Sequence, residues 1–317
     1  MNNAIFSFSK PVPNSTVISN HIAIFLQNLL GLPIYYDASI RYARPDILFI
    51  VNGAFAFCDC LEDLAVAILD AERVVWIQND YTIKPPKMEG DAQSPFRKAF
   101  VLRAEEGKPS TDYWTTVRPN ASKTRFSEYI NWNMLTYADT GMKFNRSPQD
   151  LFYYGAYRVN RERYFDRYFG YRPFRNITIS STSKKFVQRY GDRVTVEPGI
   201  PRDVFFQALH SHGLGLYIED PKSHLEYHSP ANRFYEMLSA SLPMVFQPES
   251  QQMLAHAGFD ITPFIAQNRR DINLAMSTRK SIWRKQRDWH GSYRAGLGVQ
   301  VAMAYQKITR GGVSYGR

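Results

Sequence analysis

Short apolar runs alternate with amphipathic stretches along most of the chain. Residues 4–8 are an apolar run that ends in the breaker cluster Lys10-Pro11-Val12-Pro13-Asn14. Ser15 then offers a helix N-cap. Val17, Ile18, Ile22, Phe25, Leu26 and Leu29 recur at three- and four-residue steps, the period of a helix with one buried face. Gly31 and Pro33 close that helix. Residues 33–37 and 47–51 are further strand candidates, and the second is wholly apolar, as in a parallel sheet covered on both faces. A helix over 61–71 and a strand over 73–77 complete a β-α-β alternation, which predicts a Rossmann-like domain.

Residues 82–127 break the pattern. They are polar and hold nine Lys/Arg against five Asp/Glu, with a strand expected over 99–103 and a loop region over the end of the sheet. Residues 129–137 alternate and predict a late strand. A second series then begins: strands over 151–154, 176–180, 194–196, 214–218 and 243–246, with helices over 160–169, 183–190, 203–211 and 230–241 between them. The expected domains are 1–150, 151–290 and a C-terminal helix over 291–317 that packs back on the first domain and ends in a loose tail.

Length and composition narrow the class. The 317 residues are 44% hydrophobic and 21% charged, enough for a sizeable core. No apolar run approaches the roughly 20 residues of a membrane span, and no basic leader precedes an apolar one, so a cytoplasmic protein without an integral membrane partner is expected. Cys58 and Cys60 suit neither an ordinary disulfide nor a zinc finger. Charge is uneven: residues 1–150 hold 15 Lys/Arg against 16 Asp/Glu, and residues 151–317 hold 24 against 13. An anionic partner is therefore expected at the second half.

Neither a G-x-G-x-x-G after the first strand nor a Walker A loop is present, which argues against dinucleotide oxidoreductases and P-loop kinases. No G-x-S-x-G elbow joins a strand to a helix, and no D-x-D follows a strand. His224, Glu226 and His228 bracket a loop, but their spacing is not that of a defined metal site.

Asp80 closes the fourth strand, where a ligand-facing residue of an open α/β sheet belongs. Two further segments stand out. Tyr153-Tyr154-Gly155-Ala156-Tyr157-Arg158 joins a strand to a helix through a glycine turn; glycine admits close backbone approach, and arginine offers a bidentate fork to phosphate. Arg161 and Arg163, just beyond, read as surface residues. Ser181, Ser183 and Lys184 offer hydroxyls, an N-cap and a cation at the same sheet edge. The run from His228 through Asn232, Arg233 and Glu236 to Pro243 sets a carboxylate on a helix before a small-residue turn and a short strand.

Together these segments resemble the nucleotide-sugar domain of GT-B glycosyltransferases. The resemblance implies two Rossmann-like domains facing a cleft, with a nucleotide diphosphate sugar, most simply a UDP-sugar, as co-substrate and no bound metal. It implies that Glu236 accepts hydrogen bonds from ribose hydroxyls, with His228 where many members carry a first glutamate. Gly155, Arg158 and Lys184 fall on the diphosphate side, Gly199 and Ile200 at the nucleobase, and Ser181, Asn232 and Arg233 are further donor-binding residues. Asp80 is expected to deprotonate an acceptor hydroxyl if the reaction inverts the anomeric carbon, and His228 to lie near the transferred sugar.

The acceptor is less marked. Arg269, Arg270, Arg279, Lys280, Arg284, Lys285 and Arg287 crowd cations onto one helix-rich stretch, fit to follow a phosphate backbone. In size, charge and want of an anchor the chain resembles bacteriophage glycosyltransferases that decorate hydroxymethylated pyrimidines in DNA, which implies a base flipped out of the stack. A surface glycan or lipid-linked acceptor is the alternative, as is a non-catalytic nucleic-acid-binding protein. Sugar, anomeric outcome and oligomeric state are open.

Overall fold

Strands that are apolar on both faces need a neighbour on each edge and helices above and below. The first half supplies both. The computed structural model describes residues 1–8, 10, 18–51, 59–78, 95–116, 126–136, 141–170, 176–201, 203–220 and 230–310. They fall into two units: Met1–Leu135 with Ala295–Arg317, and Thr136–Arg294.

In the first unit β1 (Asn3–Ser7), β2 (Ile34–Tyr35), β3 (Ile47–Val51), β4 (Arg73–Gln78), β5 (Asp112–Thr115) and β6 (Phe126–Tyr129) form one sheet in the order β2-β1-β3-β4-β5-β6. All its pairings are parallel. Helices α1 (Ile18–Leu30), α2 (Ile40–Ala43), α3 (Leu61–Asp70) and α4 (Pro95–Glu105) connect strands. Gly31 ends α1 with φ +69°, a conformation that glycine adopts without strain. Phe6, Leu48, Ile50, Leu64, Ile68, Val74 and Trp76 share one core, each large side chain contributing about 1.5–3 kcal/mol by burial.

Two expectations fail here. Residues 99–103 are helical, within α4, because Arg103 turns inward: it is buried and donates to the carbonyls of Ile68 (2.7 Å), Ala71 and Glu72 (3.1 Å) at the end of α3. Of the strand expected over 129–137, residues 130–136 form no strand, and residue 137 lies outside the described residues. β6 stops at Tyr129 and a 3-10 turn, Trp132–Thr136, follows, with Trp132 buried and its indole N–H given to the Trp114 carbonyl at 3.1 Å.

The second unit repeats the parallel theme. β7 (Leu151–Tyr154), β8 (Ile177–Ser180), β9 (Thr195–Glu197), β10 (Leu214–Tyr217) and β11 (Met244–Phe246) lie in the order β11-β10-β7-β8-β9. The chain winds one way from β7 to β9 and the other way from β10 to β11. The direction therefore reverses between β7 and β10, where open α/β sheets leave a crevice at the strands' carboxyl ends. Its helices are α5 (Glu162–Phe169), α6 (Lys184–Tyr190), α7 (Phe205–His210), α8 (Asn232–Ser239), α9 (Gln251–His256) and α10 (Arg269–Ser277).

Helix α11 (Arg279–Thr309) serves both units, its residues up to Arg294 belonging to the second and those from Ala295 to the first. In the first unit Leu297, Val301 and Ala304 are buried, the Tyr305 hydroxyl accepts from Asn3 Nδ2 at 2.7 Å, and Arg73 donates to the Ile308 carbonyl at 3.0 Å. Among the described residues no helix is long and apolar enough to cross a membrane.

Candidate functional site

The crevice at the β7–β10 reversal is built around a glycine. β7 runs Tyr153-Tyr154 into Gly155, whose φ of +138° is closed to ordinary side chains. A Cβ there would lie 3.3 Å from Arg233 Nη1 and 3.4 Å from the Tyr153 hydroxyl. The turn is pinned from β8: Gly155 N–H donates to the Ser180 carbonyl at 3.2 Å, and the Ser181 hydroxyl donates to the Gly155 carbonyl at 2.8 Å. Ser181 is thus engaged within the protein, and its oxygen also accepts from Ser183 N–H at 3.2 Å. Ser183 stands at the N-cap of α6 without a side-chain capping bond.

Helix α8 brings the other half. Gly215 lets it pack close to β10, since a Cβ there would fall 2.5 Å from Met237 Sδ. The Ala231 N–H just before it donates to the Tyr217 hydroxyl at 3.0 Å. Two residues on, Arg233 donates to the Tyr153 hydroxyl (3.0 Å), the Ile218 carbonyl (3.2 Å) and Glu219 Oε2 (3.4 Å). Burial works against its charge, but Tyr153 and Glu219 outweigh that and hold the guanidinium pKa above its ordinary value. Three residues further, Glu236 Oε2 accepts from the Tyr154 hydroxyl at 2.5 Å. Burial raises the Glu236 carboxyl pKa, and the bond from Tyr154 and the charge of Arg233 only partly offset this. Burial and Glu236 in turn keep Tyr154 protonated, so it remains the donor. Glu236 Oε1 has no partner among the described residues.

Beneath Arg233 lies a buried ionic lattice that the sequence reading did not include. Arg161, read as a surface residue, is 3% exposed and pairs with Glu219, itself 5% exposed. The 3-10 turn Val159–Arg161 carries its side chain inward. Asp220 is also buried, accepts from Asn160 Nδ2, and donates its N–H to Glu219 Oε1 at 3.0 Å. Gln247 Nε2 donates to the Glu219 carbonyl. The available signal was positional: Glu219-Asp220 directly follows an apolar strand, at the end where ligands bind.

The remaining expected residues are more open. Arg158, Lys184 and Asn232 are exposed. Gly199 and Ile200 are half-buried after β9, with Gly199 seated against Thr182 so that a Cβ would meet its methyl at 3.0 Å. Arg163 is exposed, as expected. Asp80, His224, Glu226 and His228 lie outside the described residues. Among the described residues no group of three or more His, Cys, Asp or Glu could hold a metal ion.

No family model and no curated protein matches the sequence. Solved structures do. T4 phage beta-glucosyltransferase is 15% identical, with 96% of this chain and 99% of that chain covered and a TM-score of 0.61. T4 phage BGT in complex with UDP and Mn2+ is 16% identical, with the same shares covered and a TM-score of 0.60. An alpha-glucosyltransferase in complex with UDP-glucose and DNA containing an abasic site is 9% identical, covers 97% and 98%, and has a TM-score of 0.50. At such identities the likeness is one of fold, and the fold is the GT-B architecture of two parallel α/β sheets.

Proposed function

We propose that this chain is a glycosyltransferase that moves a sugar from a UDP-sugar to a hydroxyl of a hydroxymethylated pyrimidine in DNA. One observation carries the donor half of this reading. Glu236 is held by Tyr154 at the switch-point end of β7, one oxygen engaged and Oε1 unpartnered, a turn beyond an arginine braced at the Gly155 turn. An ionised carboxylate so placed accepts from the hydroxyls of a ribose. Arg233 and the exposed Arg158 then face the diphosphate, and Gly155 admits the backbone to it.

In the reaction the acceptor oxygen attacks the anomeric carbon, the bond from that carbon to the diphosphate breaks, and UDP leaves. The acceptor proton passes to the carboxylate of Asp80 in an inverting reaction. Positive charge at the Gly155 turn offsets the charge gained by the leaving diphosphate, so no resident metal is invoked. The T4 phage enzyme's complex with Mn2+ makes this a point to test. DNA as acceptor is supported by the fold likeness to T4 phage beta-glucosyltransferase and to an alpha-glucosyltransferase in complex with DNA, and by the cations of residues 151–317.

The test begins with thermal shift against UDP, GDP and ADP for the wild type and Glu236→Ala. A ligand at 100 times its dissociation constant adds about 2.7 kcal/mol. A rise with UDP alone that the variant loses supports the donor reading, and a flat panel on folded protein overturns it. Labelled transfer to hydroxymethylcytosine DNA, with EDTA or Mn2+, then examines the acceptor and the metal.

A further inference from the structure

Helix α11 carries a row of cations whose direction is set from the opposite side. Ile282 and Gln286 are buried, and Gln286 exchanges two hydrogen bonds of 2.8 Å with the backbone of Met244 on β11. Trp289 continues that stripe, its ring 6.1 Å from Phe234, 5.7 Å from Phe259 and 5.3 Å from Phe264. A helix with positions 282, 286 and 289 inward turns positions 280, 284 and 287 outward. Lys280, Arg284 and Arg287 are indeed exposed, in a line about 10 Å long.

As part of a helix this row is unfavourable. Lys280 with Arg284 and Arg284 with Arg287 are like charges four and three residues apart, each pair destabilising. Lys280 also sits in the first turn, where the helix dipole disfavours a cation. None of the three pairs with a carboxylate among the described residues, whereas Arg161, Arg167, Arg189 and Arg233 all do. Their neighbour Arg279 is accounted for differently: it is buried and donates to the carbonyls of Pro148, Gly213 and Arg146. Lys285 adds a further exposed cation, and Asp288 is the one acidic residue from 279 to 289.

We infer that Lys280, Arg284 and Arg287 form a contact for the phosphate backbone of duplex DNA, independent of base sequence. It would hold a polymeric acceptor while the donor site turns over. The inference rests on the DNA-acceptor reading above. Each phosphate neutralised by a side chain releases condensed counterion, so the contact has a signature in salt.

The experiment is anisotropy titration of unmodified duplex DNA across a salt series, with the full chain and a Lys280→Gln/Arg284→Gln/Arg287→Gln variant. The expected result is a slope of log affinity against log salt reduced by about 2.7, from about 0.9 per phosphate contact. UDP affinity should stay at the wild-type value, which shows the variant folded; the melting temperature balances relieved like-charge repulsion against loss of the Arg287 contact with the Trp283 ring, 5.4 Å away. An unchanged slope overturns the inference. If the variant instead loses binding to vesicles of phosphatidylserine and phosphatidylcholine but not to DNA, the row faces a membrane and the inference is also overturned. Wild-type protein that binds UDP yet neither binds nor glycosylates hydroxymethylated DNA overturns the acceptor reading itself. Transfer that persists with an unchanged slope overturns only the role of the row.

Discussion

If Glu236 holds the donor as proposed, binding depends on pH in a direction that its burial sets. Its carboxyl pKa is raised above the ordinary 4.5 by burial. Binding to ribose hydroxyls needs the ionised form, so UDP affinity should be full at neutral pH and fall as pH drops through a midpoint above 4.5. Tyr154→Phe removes a bond that favours ionisation, so the midpoint should move still higher; calorimetric titration of UDP from pH 4 to 8 reads both. Glu236→Gln should flatten the profile. For stability the sign reverses: the folded chain holds this proton more tightly than the unfolded chain, so the contribution of Glu236 declines as pH rises above 4.5. The lattice below responds differently. Arg161→Met would leave the buried Glu219 with the longer contact to Arg233 as its one ion pair, beside the Asp220 N–H, and breaking such a pair costs about 3–5 kcal/mol. Urea unfolding of Arg161→Met beside Arg163→Ala, at an exposed position, should separate the two; equal midpoints would contradict the inward placement of Arg161.

At the scale of elements, legibility followed how much of the pattern was local. Residues 47–51 and 151–154 were readable to the residue because an all-apolar run between breakers has one comfortable solution. Residues 99–103, Ala-Phe-Val-Leu-Arg, were misread because the same run suits a strand and a helix alike. What decides is tertiary: the Arg103 guanidinium lies over the carboxyl end of α3 and caps three carbonyls. Arg103→Leu should therefore leave those carbonyls unsatisfied and cost about 1–3 kcal/mol, seen as a lower melting temperature. A neutral result would mean that water serves them as well. The site divides in the same way. Gly155, Arg233 and Glu236, singled out from turn chemistry and helix spacing, do come together at the end of β7, because both signals are written locally. Glu219 was not, since its partners are Arg161, 58 positions away, and Arg233, 14 away.

For the whole molecule, the chain's end completes its beginning. Leu297 and Val301 are buried in the first unit, which at about 1.5–3 kcal/mol for each large apolar side chain is roughly 3–6 kcal/mol. Domain stabilities are about 5–15 kcal/mol, so that helical segment is a large fraction of what keeps the first sheet folded. Tyr305 and the Ile308 carbonyl also partner Asn3 on β1 and Arg73 on β4, two strands far apart in sequence. The residues proposed to hold the donor, Gly155, Arg233 and Glu236, by contrast all lie within Thr136–Arg294. Deleting residues 295–317 should therefore strip hydrogen-exchange protection from β1, β3 and β4 while leaving protection in β7, β8 and β10 and the UDP-dependent rise in melting temperature. If the deletion abolishes UDP binding and leaves the first sheet protected, the division of labour between the units is the reverse of the one argued from their packing.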